Sequence, residues 1–274
     1  MSRPRLVKRS VPPMDADSFA PTPERPLRCI PREHQANTDV HLHHHPWAQM
    51  VFSSGGVARV STLDVAYVVP PWRAVWIPPT VQHAATVLEN AQLHSLYLLP
   101  TCNQDWPECR VIEVEPLLRG LIVALSKEDK EMGDAERYRS LCSLTLAELR
   151  RAPSLPLGVA LPKERRLRAF CESFLNDPAL DRPLTSLAQE AGASVSTIHR
   201  LFRQEIGSSF TDWRQQVLLA RALTLAAKGM SMGRIADELG YASASAFSAM
   251  VMRLVGIPPS KLLLQRSGEA SLHV

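Results

Sequence analysis

The sequence predicts an α+β protein of two domains, in which an N-terminal β-barrel is followed by a helical linker and an all-α domain. Residues 38–100 contain short runs rich in Val, Ile, Tyr and Trp between Gly and Pro, which is typical of compact antiparallel β-structure. From Pro116 onward the apolar residues recur at helical spacing instead. Residues 187–207 and 235–256 carry nearly the same pattern, which predicts two helix-turn-helix units joined by a long helix.

Changes in composition divide the 274 residues into four predicted segments. These are a flexible tail at 1–30, a β domain for an effector or sensor site at 31–115, a helical coupling and dimerisation segment with its linker at 116–162, and the all-α domain at 163–266. In the third segment, the predicted helices at 117–126 and 134–151 each carry an apolar stripe. The stripes either cap the barrel or form the interface of a homodimer.

Charge, hydropathy and cysteine content limit the class of protein. Residues 163–274 contain 14 Lys+Arg and 10 Asp+Glu, so the net charge of +4 of the whole chain lies in this part. Such an excess favours a phosphate-binding surface. No apolar run approaches the ~18 residues that span a bilayer, so we expect no membrane partner. Five scattered cysteines are typical of reduced thiols, which predicts a cytoplasmic protein.

The C-terminal repeat places small residues where two helices must cross closely. Gly192 recurs as Gly240 and, after one extra residue in the turn, Gly207 recurs as Gly256. A tight turn between two helices is how many proteins place a helix in a DNA groove, so we expect double-stranded DNA as the partner. The long helix at 209–229 is about 28 Å long, close to the ~34 Å between successive major-groove openings. One molecule can therefore read two grooves.

The two predicted recognition helices offer different side chains to DNA. In the first, the predicted contacts are Ser196, Thr197, His199, Arg200 and Arg203. In the second, they are Ser243, Ser245, Ser248 and Arg253. Because arginine can bind guanine in a bidentate manner, and Ala249 and Met252 stand at the positions of Arg200 and Arg203, we expect the first helix to read bases. The second then contributes shape and phosphate contacts.

A further motif in the second repeat carries a family resemblance. The pattern G-Y-x-S-x-S-x-F followed by G-I-P-P is present as Gly240, Tyr241, Ser243, Ser245, Phe247, Gly256, Ile257, Pro258 and Pro259. Residues 163–265 thus resemble the DNA-binding domain of the AraC/XylS family of bacterial transcription regulators, although Val251 and Met252 replace the usual Phe and basic residue. The resemblance implies a sequence-specific transcriptional regulator, a repressor or an activator, with RNA polymerase as a protein partner.

Two segments of the β domain resemble the sequence motifs of cupins. His43-x-His45, followed by Gln49 and Gly56, is similar to the first motif, with Gln in place of the usual Glu. Residues 78–83, which end in His83, resemble the second motif, with Thr where Gly is expected. The resemblance implies a small cupin-like β-barrel in which these three histidines and Gln49 converge on a divalent metal.

The same residues support two interpretations. One is a divalent metal held by His43, His45, Gln49 and His83; the other is a metal-free pocket for a small-molecule effector, lined by His43, His45, Trp47, Gln49, Trp76 and His83. Because a neutral Gln is a weaker ligand than Glu, we expect a regulator that is not an enzyme. The alternative is a metal-binding cupin, as sensor or enzyme, with an accessory DNA-binding domain. Residues 38–100 also look like the subgroup of regulators that includes repressors of nitroimidazole or drug-efflux genes.

Overall fold

A computed structural model describes residues 9–13, 16–102, 106–128, 134–176 and 183–263. By their internal contacts the residues divide into two units: Met1–Thr62 with Tyr67–Pro156, and Leu63–Ala66 with Leu157–Val274. The first unit is rich in strands and the second is mainly helical, which confirms the predicted α+β class. The division at Leu157 falls inside the predicted linker.

Two six-stranded sheets contain all the described strands. The first has the order β1 (Arg9–Val11), β3 (Thr38–His43), β8 (His83–Val87), β5 (Ala58–Ser61), β6 (Val65–Val69) and β12 (Gly158–Ala160). The second has the order β11 (Ser154–Leu155), β10 (Arg110–Glu113), β7 (Arg73–Ile77), β4 (Ala48–Gly55), β9 (Ala91–Leu98) and β2 (Leu27–His34). The predicted linker therefore contributes one short strand to each sheet.

Alternation along β4 separates two cores, because successive side chains of a strand point to opposite faces. Met50 and Phe52 pack in a cluster that also contains Leu118 and Ile122. Val51 belongs to a second cluster, with residues of β5, β7, β8 and β9. The side of β4 that carries Val51 also carries Gln49, and it faces the interior between the two sheets.

Three α-helices accompany the sheets in the described residues of the first unit: α1 (Ala16–Phe19), α2 (Pro116–Glu128) and α3 (Ala135–Arg151). Helix α3 begins at Asp134, whose side chain accepts a hydrogen bond from the backbone N–H of Glu136 (2.8 Å). On α2, Leu118, Leu121, Ile122 and Leu125 are buried. Leu117 and Leu144 are 55 % and 50 % exposed, so part of the predicted apolar stripes faces outward.

The ordered part of the chain begins earlier than the sequence predicted. Strand β2 pairs with β9 along all eight of its residues, starting at Leu27 opposite Leu98. Leu27 and Cys29 are almost completely buried and complete the core beneath α2 and α3. The prediction of a flexible tail through residue 30 is therefore wrong for residues 27–30, because their alternate side chains belong to the core, and for Arg9–Val11, which pair with β3.

Gly56 follows β4 at a point where no side chain fits. Its φ is +73°, and a Cβ atom there would lie 2.0 Å from the carbonyl oxygen of Asn90. Both the left-handed backbone and the close approach favour glycine. This is the glycine of the first cupin-like motif, and here it serves the turn between β4 and β5.

The second unit contains seven helices among its described residues. They are α4 (Arg165–Asn176), α5 (Leu184–Glu190), α6 (Val195–Leu201, continued to Ile206 by a wider helical turn), α7 (Phe210–Ala227), α8 (Met232–Glu238), α9 (Ala244–Val255) and α10 (Pro259–Leu263). Phe170, Phe202, Phe210 and Trp213 form an aromatic cluster at the centre of its core. In the described part of the chain, no helix is both long enough and apolar enough to cross a membrane.

The second unit also takes in the segment 63–66, at the start of β6. The backbone N–H of Leu161 donates to the carbonyl oxygen of Asp64 (2.7 Å), and the Trp213 indole N–H donates to the carbonyl oxygen of Ala160 (2.7 Å). The N-terminal end of this unit is thus hydrogen-bonded to the segment that precedes β6 and to α7.

Candidate DNA interface and buried histidine site

The two helix-turn-helix units share the same turn geometry. Gly192 and Gly240 have φ of +63° and +71°, a left-handed conformation that glycine adopts at little cost. Ser194 and Ser243 then cap the next helix, each through its hydroxyl oxygen at 3.1 Å from a backbone N–H three residues later. The repeat seen in the sequence is therefore a repeat of backbone structure.

The first recognition helix, α6, presents a polar surface. Ile198 and Phe202 are buried at 1 % and 0 % exposure, whereas His199, Arg200 and Arg203 are exposed. The hydroxyl groups of the other two predicted contacts, Ser196 and Thr197, lie 2.8 and 2.9 Å from that of Ser194. The structure therefore places the five predicted residues on one helix, with the three cationic or aromatic ones free of the core.

Helix α9 presents a more apolar surface. Ser243 and Ser245 are exposed and Ser248 is half-buried, while Met252 is 50 % exposed. The guanidinium of Arg253 donates to the side-chain oxygen of Gln215 on α7. The charged residue of this helix is thus held at its flank, close to the helix that connects the two units.

Helix α7 separates the two helix-turn-helix units by a fixed length. It spans 18 residues, or about 27 Å, and begins at Ser209, whose hydroxyl oxygen caps the N–H of Asp212 (3.1 Å). Trp213, Val217 and Ala222 are nearly completely buried along it. A helix buried on several sides is a rigid spacer, as reading two successive grooves requires.

In the N-terminal, strand-rich part of the chain, the predicted cupin-like residues converge. His43 ends β3 opposite His83, which begins β8. The ligand nitrogens of His43, His45 and His83 lie within 4.8 Å of one another. The side-chain oxygen of Gln49 lies 2.9 Å from Nε2 of His45 and 3.0 Å from Nε2 of His83. Motifs separated by more than 30 residues therefore form one cluster.

Each of the three imidazoles is held through its Nδ1 atom. The bonds run from His43 to the carbonyl oxygen of His41 (2.8 Å), from His45 to that of Trp47 (2.7 Å) and from His83 to that of Val81 (2.9 Å). Because a carbonyl oxygen only accepts, every Nδ1 atom must carry the proton. In the neutral rings, the three Nε2 lone pairs are then left to face the centre of the cluster.

Burial favours the neutral form of two of these imidazoles, His43 and His83. His45, Gln49 and His83 are 6 %, 5 % and 2 % exposed. Burial lowers the pKa of His83 to about 3, with smaller contributions from the neighbouring histidines, and burial also lowers the pKa of His43. Burial therefore disfavours a positive charge on His43 and His83 within this set of nitrogen and oxygen donors.

Thr80 occupies the position where the cupin motif has glycine. Its φ is +65°, a left-handed conformation that is uncommon for a β-branched residue. Its backbone N–H donates to the carbonyl oxygen of His45 at 2.8 Å. The strained backbone thus ties the segment before His83 to the segment that carries His45.

Comparison with known proteins identifies the type of domain in the C-terminal, helical part of the chain. Residues 187–265 match the model of a helix-turn-helix domain. Over 222 residues the chain is 29 % identical to the transcriptional regulator NimR of Escherichia coli, covering 81 % of each protein. It is 28 % identical over 131 residues to the arabinose operon regulatory protein of the same organism, covering 46 % of this chain and 44 % of that one. Residues 187–265 are thus a helix-turn-helix domain, and the chain is similar to transcription regulators of the AraC/XylS family.

Solved structures resemble the chain more loosely. ToxT of Vibrio cholerae covers 86 % of the chain, with 97 % of its own length included, at 12 % identity and a TM-score of 0.37. A cupin of Shewanella frigidimarina covers 26 % of the chain, with 65 % of its own length included, at 19 % identity and a TM-score of 0.25. The helix-turn-helix match and the similarity to NimR support a DNA-binding transcriptional regulator.

The predicted effector-pocket residues of the regulator do not all lie together. Trp47 stacks on His45, with ring centroids 5.3 Å apart and planes inclined by 6°. Trp76 instead packs with Met50 beneath α2 and α3, on the opposite face of the sheet. Its assignment to the pocket was wrong, because Trp76 on β7 faces the helices.

Sequence reasoning also missed residues that position the predicted ones. Ser95 accepts a hydrogen bond from the Gln49 amide nitrogen (3.1 Å), and Gln204 accepts one from Arg200 (2.8 Å). Alternation along β9 indicates that Ser95 shares a face with Tyr97, but no motif marks either residue. The spacing of four residues between Arg200 and Gln204 is a usable signal, since residues four apart on a helix are neighbours.

Proposed function

We propose that this regulator reads its operator mainly through α6 and that its hold on DNA changes when the histidine cluster binds its effector. The proposed effector binding is supported by the convergence of three imidazoles whose Nδ1 protons are already donated to backbone carbonyls. In metal sites, the ligating histidine almost always donates its other ring N–H to such a partner. We therefore interpret the cluster as the effector site.

A divalent cation fits the chemistry of this site. His43, His45 and His83 would hold it through Nε2, and Gln49 through its side-chain oxygen; imidazole donors suit Zn, Ni or Fe. The ion would supply the positive charge that these acceptors lack. The small exposure of His45, Gln49 and His83 also favours an ion over a larger molecule. The competing occupant is a small organic effector against the ring of Trp47.

The two recognition helices have different proposed roles. Exposed His199, Arg200 and Arg203 provide donors for base edges, while Ser196 and Thr197 lie at the start of α6. On α9, the predicted contacts bind the phosphate backbone of DNA and recognise its shape, because serine and a flanking arginine are suited to phosphate contacts. These contacts are Ser243, Ser245, Ser248 and Arg253.

The outward leucines of α2 and α3 favour a homodimer as the working form. Leu117 and Leu144 are about half exposed, and Val123 is 40 % exposed. A two-fold partner would cover this apolar face and double the number of grooves engaged. We further propose that the regulator acts in the cytoplasm, where it meets DNA and RNA polymerase, and that it catalyses no reaction.

The DNA part is tested by selection. The purified protein is mixed at one fixed salt concentration with genomic fragments and an excess of random DNA, and the retained fragments are sequenced. We expect one short enriched motif, since specific binding typically exceeds non-specific binding by roughly 10³-fold or more. Retention without any enriched motif would contradict operator recognition.

The effector part is tested by metal content and DNA affinity. The protein, His83→Ala and the matched control His44→Ala are loaded with Zn²⁺ or Ni²⁺, and bound metal and operator affinity are measured with and without a chelator. We expect one ion per protomer, a change of operator affinity on chelation, and loss of both in His83→Ala alone. His44 is exposed, so its variant should behave as the parent protein does. Bound metal with unchanged operator affinity would exclude the metal as the signal.

The alternative is a metal-dependent cupin enzyme with an accessory DNA-binding domain. The neutral Gln49 in place of a carboxylate disfavours it, because carboxylate ligands stabilise the charged ion of oxygen-activating centres. Substrate turnover that depends on added Fe²⁺ or Ni²⁺ would favour the enzyme over the sensor.

A further inference from the structure

The side chain of Gln49 lies between two ring nitrogens and a hydroxyl. Its oxygen is 2.9 and 3.0 Å from Nε2 of His45 and His83, and its nitrogen is 3.1 Å from the hydroxyl oxygen of Ser95. The oxygen and nitrogen of a side-chain amide are nearly equal in size, so a half-turn of the terminal group exchanges them without moving its neighbours. Two hydrogen-bond patterns therefore share one side-chain position.

The two patterns differ in what else they require. With the oxygen toward His45 and His83, three acceptors face one another, since both Nδ1 protons point to backbone carbonyls. Protonating both rings instead would bury two cations whose ring centroids are 5.2 Å apart. This orientation is therefore stable only with a cation among the acceptors.

The opposite orientation requires no cation. The amide NH₂ then gives one hydrogen to each Nε2 lone pair, and the amide oxygen accepts from the Ser95 hydroxyl. All the polar atoms of the amide and the two rings are satisfied within the protein. A glutamate at this position has no hydrogen to give, so without a cation it would leave buried lone pairs unpaired.

We infer that Gln49 is a two-state ligand, which caps His45 and His83 through its NH₂ group when no ion is bound and presents its oxygen when a divalent cation binds. This rests on the proposed cation site. The amide makes both states stable, at the expense of the tighter binding that a carboxylate would give. The site is thus suited to reversible occupancy, as a sensor requires, rather than to permanent retention of a cofactor.

The test compares the parent protein with Gln49→Glu and with the matched control Gln35→Glu. Gln35 is exposed, and its side-chain oxygen accepts from Arg9, a bond that a carboxylate preserves. Zn²⁺ affinity is measured by competition with a chromophoric chelator, and thermal unfolding is measured without and with Zn²⁺. For Gln49→Glu we expect roughly tenfold or more tighter binding, because a charge is added beside the ion, and a lower Tm without it. Gln35→Glu should match the parent.

The outcomes separate this inference from the proposal beneath it. If the parent protein binds no Zn²⁺, the cation site itself fails, and the two-state ligand fails with it. If the parent binds Zn²⁺ and Gln49→Glu neither binds more tightly nor melts earlier without it, only the two-state ligand is overturned. Should Gln49→Glu not fold without the ion, refolding on addition of Zn²⁺ supports the inference, and failure to refold contradicts it.

A measurement on the unmodified protein gives a second, independent readout. Long-range ¹H–¹⁵N spectra report which ring nitrogen carries the proton, and the side-chain amide signals of Gln49 report its partners. We expect Nδ1-protonated His45 and His83 in both states, and a shift of the Gln49 NH₂ signals on addition of Zn²⁺. Unshifted NH₂ signals in a protein that has bound the ion would overturn the proposed change of orientation.

Discussion

The two helix-turn-helix units have nearly the same backbone but different surfaces. Both turn at a left-handed glycine, and both cap their recognition helix with a serine hydroxyl 3.1 Å from a backbone N–H. On α6, Arg200 and Arg203 are exposed, whereas the matched positions on α9 are Ala249 and Met252. The scaffold and the reading surface thus depend on different residues of the same motif.

The difference assigns a separate task to each unit. Arginine side chains distinguish base pairs through paired donors, while an apolar surface fits a groove and recognises its shape. Arg253, the charged residue of α9, is held at the flank by Gln215. The comparison therefore predicts an operator with one well-defined half and one tolerant half.

The largest effects are expected where the two units are alike, in their cores. Phe202 and Phe247 are both 0 % exposed, so replacing either by alanine should cost about 3–5 kcal/mol of unfolding free energy. Phe202→Ala should be the more costly, because its ring lies 5.4 Å from both Phe210 and Trp213. Urea unfolding of the two variants measures this. A cost below about 1 kcal/mol for either would show that its unit is not packed as described.

The next effect separates the two reading surfaces. Arg200→Ala should weaken operator binding by about 1–3 kcal/mol and relax the preference at one base position. Binding to random DNA should fall much less. Titrations of operator variants, each changed at one position, measure this, with Gln204→Ala as the control that leaves the guanidinium in place but removes its partner. A loss that is equal for all sequences would assign Arg200 to phosphate instead.

Much of this fold can be predicted because local sequence patterns determine it. The repeat 187–207 and 235–256 predicts the two units, since glycine turns and buried positions recur at fixed spacing. Serine caps and the end of α7 are likewise local signals. The cupin-like motifs predict that His43, His45, Gln49 and His83 converge, which the structure brings about by pairing β3 with β8 and β4 with β7.

The features that the sequence did not predict depend on contacts between distant parts of the chain. Leu27 belongs to the core only because β2 pairs with β9, some 70 residues away along the chain. No local periodicity of apolar residues indicates that pairing. Trp76 and Gln49 lie on adjacent strands, but their side chains face opposite sides of the sheet, which only the register decides. Ser95 and Gln215 act through partners 46 and 38 residues away.

A gain of function sharpens the comparison. Ala249→Arg places on α9 the residue that α6 has at Arg200, at an exposed position. We expect tighter binding by on the order of 1 kcal/mol, with a new base preference in the tolerant half of the operator. Repeating the fragment selection with the variant shows whether that half becomes defined. Ser260→Arg, at an exposed position on α10 outside both recognition helices, controls for the added charge alone.

Arg253→Ala tests the phosphate role of the second unit and should have a smaller effect. Binding should weaken to a similar degree for operator and random DNA, and the slope of log K against log salt concentration should fall by about 0.9. Gln215→Ala, which removes the partner but not the charge, should leave the slope unchanged. A sequence-dependent loss in Arg253→Ala would mean that α9 reads bases after all.

The smallest effect is expected from Ser248→Ala, and it decides the asymmetry. Ser248 is half-buried on α9 and makes no hydrogen bond recorded among the described residues, so its removal should change operator affinity by no more than about 0.5 kcal/mol. Measured beside Arg200→Ala on the same operator, it isolates what each surface contributes to base reading. Equal losses in the two variants would contradict unequal roles, because a hydroxyl that discriminates as strongly as an arginine would have to contact a base directly.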